Sequence, residues 1–184
     1  MSLTKAHDAT PLQQVLLVVL RVGIGWHLLY EGYVKLTTPG GWSAAGYLGG
    51  LPHGPLSGLL QAIPGHPTAL QAVNYLNAWG LAAAGLGMMV GLFTPAAIVG
   101  GMLMLALYYL ANPPWIGVAT AAGEGNYLWV DKNLIELLAL AVLLSFNTGR
   151  LAGLDLMIGR WRERRSRRQL RAARPPAAAK SSAS

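Results

Sequence analysis

LQQVLLVVLRVGIGWHLLYEGYVKL, residues 12–36, is an apolar run of the length a helix needs to cross hydrocarbon, about 20 residues. It also carries Arg21, His27, Glu31 and Lys35. A charge at the centre of a bilayer costs roughly 2.5–3.5 kcal/mol on insertion scales, so ionisable residues here mark a site. Leu12 to Leu20 alone would pass for a signal-peptide core. Arg21 interrupts it, however, the apolar character resumes through Tyr30, and no small-residue cleavage site follows, so the stretch reads as a retained first helix.

The rest of the chain has the same character. It is 53% hydrophobic and 11% charged, with a mean hydropathy of +0.40. A soluble domain averages about 25% charged residues. The net charge of +7 is not spread evenly: residues 1–149 hold four Lys/Arg against five Asp/Glu, and residues 150–184 hold ten against two. A basic tail directly after a hydrophobic span reflects positive-inside bias and attraction to anionic lipid, and nucleic acid is not an expected partner. The absence of cysteine excludes disulfides, thiolate nucleophiles and Cys-ligated iron–sulfur clusters.

The predicted fold class is all-α: a polytopic integral membrane protein, a four-transmembrane-helix bundle with short interfacial helices in the first outer loop. Spans are expected at residues 12–36, 67–93, 95–112 and 132–149. Residues 1–11 form a cytoplasmic N-terminus, 12–158 the membrane domain, and 159–184 a basic cytoplasmic tail, disordered after Pro175. Pro39-Gly-Gly ends the first helix, Pro67 suits the first turn of the second, Thr94-Pro95 turns into the third, and Asp131 is an N-cap for the fourth. Trp42 to Leu48 and Leu56 to Ile63 are the candidate interfacial helices. Ala83, Gly87 and Gly91, at four-residue spacing, offer a flat strip for close helix approach. Loops 37–66 and 112–131 lack Lys and Arg and face outward, which leaves both termini inside.

At about 1.5 Å per residue from Leu12, Arg21 lies roughly 14 Å deep, His27 about 22 Å and Glu31 about 29 Å. Glu31 and Lys35 therefore reach the outer boundary, where Asn133 and Glu136 of the descending fourth helix also lie. Asn74, Asn77, Tyr108, Tyr109 and Asn112 share that layer. His27, Glu31 and Lys35 recur every four residues on one helical face, with Arg21 deeper on an adjoining angle. The candidate site has His27, Glu31, Lys35 and Glu136 as its reactive core and Arg21, Asn77, Tyr108, Tyr109 and Asn133 as binding residues. Plainer roles stay open for each: an i,i+4 ion pair for Glu31 and Lys35, a helix lock for Arg21, a packing role for His27, a structural or protonated carboxyl for Glu136, and an interfacial belt for the tyrosines. His7, His53 and His66 lie outside the spans, which argues against haem, and no metal motif is present.

The ordered set Arg21-x5-His27-x3-Glu31-x3-Lys35, Gly46-Tyr-Leu, Gly123-Glu-Gly-Asn-Tyr and Asp131-Lys-Asn-Leu-Ile-Glu136 resembles the DoxX/DoxD family over roughly residues 12–158. That resemblance implies a subunit of a bacterial or archaeal inner-membrane thiosulfate:quinone oxidoreductase, with quinone as the bound substrate. Thiosulfate would call for cationic donors such as Lys35, His27 or Arg21, and quinone reduction for proton carriers such as His27, Glu31, Glu136 or the tyrosines. Two other readings stand beside it: a structural or assembly subunit of a larger membrane complex, to which the small-residue packing faces and the lack of a recognisable redox centre point, and a small-anion or proton transporter, which would use the same buried charges. Other membrane subunits or further copies of the chain are the expected partners.

Overall fold

The computed structural model describes residues 9–51, 54–114, 128–146 and 148–172, and among these every regular element is helical. Four long helices make the bundle: α1 (Pro11–Thr37), α4 (Pro67–Val90), α5 (Thr94–Ala111) and α6 (Lys132–Ser145). Two short ones, α2 (Ala45–Gly49) and α3 (Ser57–Ala62), fill the first long connection, and α7 (Leu154–Ala172) follows α6 through a 3₁₀ turn at Thr148–Arg150. The N-terminus through residue 8, His53, the Gly123-Glu-Gly-Asn-Tyr motif and the tail beyond residue 172 lie outside the described residues.

Local chemistry accounts for the helix ends. Thr10 opens α1 with a reciprocal capping box, its hydroxyl accepting from the Gln13 amide and the Gln13 side chain accepting from the Thr10 amide at 2.8 Å. Asp131 caps α6 by accepting from the Leu134 amide at 2.8 Å. The second long helix stops at Val90, short of the expected Phe93, because Gly91 takes the left-handed conformation at φ 69°. Phe93 itself sits at φ 48°, and α5 has no local side-chain cap. Asp155, at the start of α7, supplies one instead: its two carboxylate oxygens accept from the Phe93 and Thr94 amides, each at 2.8 Å. The last long helix ends at Ser145, not at residue 149, where the chain tightens into the 3₁₀ turn.

All four long helices feed one core, with Ile24 and Leu28 from α1, Leu81, Ala84 and Met88 from α4, Ile98 and Leu105 from α5, and Leu140 and Leu143 from α6. The closest approach is between α1 and α4. A Cβ on Gly85 would collide with the backbone of Leu29 and Gly25, and one on Gly32 would come within 2.5 Å of the Ala82 nitrogen. The small-residue strip expected on α4 at Ala83, Gly87 and Gly91 is in close contact at two of its three positions, though not with α1. Ala83 is exposed, Gly87 abuts Ala97 of α5, and Gly91 abuts Gly153, whereas the α1 interface uses Ala78, Ala82 and Gly85. Which small residues of α4 meet which neighbour depends on the rotation of the helix.

A second core, of Ala44, Leu48, Leu51, Leu60 and Ala111, packs α2 and α3 over one end of the bundle. Many large apolar side chains on the long helices stay exposed, among them Leu12, Val15, Trp26, Trp79, Leu103 and Leu138. Exposed apolar surface on this scale calls for a partner or a lipid. α1 and α5 are each long and apolar enough to cross a membrane. The fourteen residues of α6 rise only about 21 Å, less than the roughly 30 Å of a hydrocarbon core.

Candidate functional site

Between α2, α3 and the Lys35 end of the bundle lies a cavity of about 430 Å³. Its walls are mainly apolar: Leu48, Leu60, Ile63 and Val73 on one side, Met104 and Leu107 on the other, with Trp42 and Tyr47 from the connection. Six polar side chains interrupt them, Lys35, Asn77, Tyr108, Asn112, Asp131 and Asn133. A largely apolar pocket with a few convergent polar groups is the usual form of a small-molecule site.

Five of these six polar groups are held by hydrogen bonds of the fold. Lys35 Nζ donates to Glu31 Oε2 at 2.8 Å and lies 5.3 Å from the centroid of the Trp42 ring, so the ammonium is fixed between a carboxylate and an aromatic face. Its side chain is only 13% exposed, against 45% for Glu31, which leaves the carboxylate on the outside and the ammonium toward the cavity. Asn77 Nδ2 donates to the Tyr108 hydroxyl oxygen at 2.7 Å, joining α4 to α5. The Tyr108 proton is left over to donate elsewhere. Asn133 Nδ2 donates to Asp131 Oδ2 at 2.9 Å, and Asn74 Oδ1 accepts from the Ala44 amide at 2.8 Å, tying the α2 segment to α4.

Among the described residues, two oxygens of the cavity's polar side chains remain unsatisfied. Asn77 Oδ1 and Asn112 Oδ1 are buried without a hydrogen-bond partner. A buried acceptor left unpaired costs about 1–3 kcal/mol, so a ligand that donates to it recovers that cost. The cavity therefore presents both kinds of partner: N–H and O–H donors at Lys35 and Tyr108, and empty acceptors at Asn77 and Asn112.

The residues expected in one site divide among four places. Lys35, Asn77, Tyr108 and Asn133 line the cavity, and Glu31 holds Lys35 from outside it. His27 and Glu136 pair with each other, Nδ1 lying 3.0 Å from Oε1 and 3.1 Å from Oε2, on the seam between α1 and α6 and away from the cavity lining. The link drawn from Glu136 to Lys35 and Glu31 by depth is made to His27 instead, because one turn of α1 separates His27 from Glu31. Tyr109 turns away from its neighbour Tyr108 and donates to the Trp129 carbonyl at 2.7 Å.

Arg21 sits at the opposite end. It is 1% exposed, and its guanidinium donates to the Thr148 carbonyl at 2.8 Å and the Ala152 carbonyl at 2.9 Å, fastening α1 to the turn between α6 and α7. This is helix-locking geometry. Trp42, Asn112 and Asp131 are among the cavity residues that sequence reasoning left out of the site. Asn112 already stood in the right layer, and Asp131 was read only as a cap. Among the described residues no group of three His, Cys, Asp or Glu side chains converges as a metal site would need. Comparison with family profiles, curated proteins and solved structures finds no match to this chain.

Proposed function

We propose that the chain is a bacterial or archaeal inner-membrane protein in which α1, α4, α5 and α6 are the spans, both termini are cytoplasmic, and the cavity at the outer end binds a quinone. In this reading it serves as a subunit of a quinone-linked oxidoreductase. The observation that carries it is the cavity's pairing of apolar walls with donors at Lys35 and Tyr108 and orphaned acceptors at Asn77 and Asn112. A quinone has two carbonyl oxygens that accept, and its reduced form has two hydroxyls that donate. A site offering both kinds of partner holds either state.

Reduction of a quinone takes two electrons and two protons. Thiosulfate, the reductant suggested by the resemblance to the DoxX/DoxD family, gives two electrons when two of its ions join through a new sulfur–sulfur bond to form tetrathionate. The chain lacks cysteine, so such electrons would pass directly or through a partner subunit. Lys35 and Tyr108 would hydrogen-bond the quinone oxygens, and the His27–Glu136 pair, outside the cavity lining, would serve as a more distant proton store. The exposed apolar faces of α1, α4, α5 and α6 would meet lipid, and the short α6 would reach the inner boundary only with the turn that follows it.

Purified protein in lipid nanodiscs should bind a short-chain ubiquinone or menaquinone analogue saturably, quenching the fluorescence of Trp42 in the cavity wall. Lys35→Met and Tyr108→Phe should each weaken binding about tenfold, the loss of one good hydrogen bond at roughly 1.4 kcal/mol. Absence of saturable binding, or binding that neither variant changes, would sink the proposal.

A further inference from the structure

We infer that α7 is a docking surface for acidic phospholipid, lying along the cytoplasmic membrane boundary with one face in the acyl layer and its arginines among the headgroups. This rests on the reading of the bundle as membrane-spanning. It concerns a different part of the molecule from the cavity.

The first observation is the pattern of the helix. Leu154, Met157, Ile158 and Trp161 follow i, i+3, i+4, i+7 spacing, which places them on one face, and all four are exposed. The side turned to the bundle carries Asp155, which caps α5, and the half-covered Leu156. The apolar stripe therefore points away from the protein. From residue 160 onward the sequence is strongly basic: Leu154–Ala172 holds seven Arg against one Asp and one Glu, a net of +5. The Arg165 guanidinium stacks over the Trp161 ring at 5.4 Å, so the bulkiest apolar side chain and a cation form one amphipathic unit. An apolar stripe flanked by arginine and anchored by tryptophan is the pattern of an interfacial helix.

The second observation concerns depth. Arg21 bonds the Ala152 carbonyl, so α7 begins beside the middle of α1 and not beside its start. Ten residues of α1, Pro11 to Leu20, precede Arg21, and allowing one turn for the lean of the side chain they extend roughly 10 Å past that level. Leu12, Val15, Leu16 and Val19 form an exposed apolar stripe along that extension. If those side chains are covered by lipid, the start of α7 lies at a depth that lipid also covers. The acyl layer that meets the N-terminal turns of α1 meets Met157 and Trp161, and the arginines fall where phosphate groups lie.

The chain contains no cysteine, so single-cysteine variants of the full-length protein report one position each. Met157→Cys marks the apolar face, Glu163→Cys the opposite face of α7, and Leu103→Cys the exposed side of α5. Each is nitroxide-labelled and reconstituted in vesicles of equimolar phosphatidylcholine and phosphatidylglycerol, and collision with oxygen and with a water-soluble nickel chelate is compared. The oxygen-to-nickel ratio at Met157 should match that at Leu103 and exceed that at Glu163 severalfold. It should drop toward the Glu163 value in vesicles of phosphatidylcholine alone, or when Arg160, Arg162, Arg164 and Arg165 are changed together to Gln. A water-exposed Met157 label beside a lipid-exposed Leu103 label overturns the docking surface and leaves the spanning bundle standing. Water exposure at both positions overturns the bundle as well. Indifference of Met157 to the acidic lipid overturns the headgroup contact, and dipolar broadening at Met157 assigns the stripe to a second copy of the chain instead.

Discussion

Arg21 and Gly32 illustrate how much of this structure depends on single side chains. Two carbonyls, the buried one of Thr148 and the half-buried one of Ala152, take hydrogen bonds from one guanidinium. Arg21→Met leaves both without that donor and is expected to destabilise the folded protein by about 1–3 kcal/mol, read as a lowered midpoint in a denaturation titration. Arg21→Lys should recover little of the loss, because an ammonium does not reproduce the planar fork. At Gly32 the argument is steric. An added methyl meets the backbone of Ala78 and Ala82, which has no room to yield, so Gly32→Ala should cost about 1–3 kcal/mol by overpacking. Gly23 has nothing within 4 Å of its Cβ position, and Gly23→Ala in the same assay should be neutral or slightly stabilising. In lipid the distinction sharpens, since close packing drives helices together where the hydrophobic effect between them is absent.

At the scale of elements, the notable device is the cap that α7 provides for α5. Burial pushes the Asp155 carboxyl up, but hydrogen bonds from Thr94 and Phe93 and the charge of Arg21 together pull it further down, so it lies below its ordinary value of 3.8. A carboxyl lowered in the folded state adds stability that is fully present above that ordinary value and disappears as the pH falls through the folded one. The stability difference between the wild type and Asp155→Asn should therefore be widest near neutrality and close as the pH drops below 3.8. A gap that widens on acidification would refute this role. The helix starts at Pro67 and Asp131 were legible in the sequence, because a first-turn proline and an N-cap carboxylate act within a few residues of themselves. The end of α4 and the cap of α5 were not: Gly91 stops α4 before Phe93, and the start of α5 takes its cap from a residue 61 positions away.

For the whole molecule, the polar residues sort along the bundle axis. The Arg21 end holds the fastening between α1, α5 and α7, and the Lys35 end holds a cavity roofed by α2 and α3. Their separation allows the two proposals to fail independently: the quinone analogue reads the Lys35 end, and the labels on α7 read the other. The stabilising contacts of α1 and α4 lie between the two ends, so Gly32→Ala should weaken both functions in proportion to its effect on folding.

The sequence by itself determined the helical class, the positions of the four long helices and the layer in which most of the polar residues lie. These follow from composition, from punctuation by proline and glycine, and from the fixed rise of a helix, all of which act locally. Only the tertiary structure decided which of those residues meet. Helix rotation sends Tyr108 into the cavity and Tyr109 away from it, joins Glu136 to His27 in place of Glu31, and puts Asn112 and Asp131 on the cavity wall. Rotation about the axis is set by the packing of small residues between neighbouring helices, and depth along the chain carries no information about it.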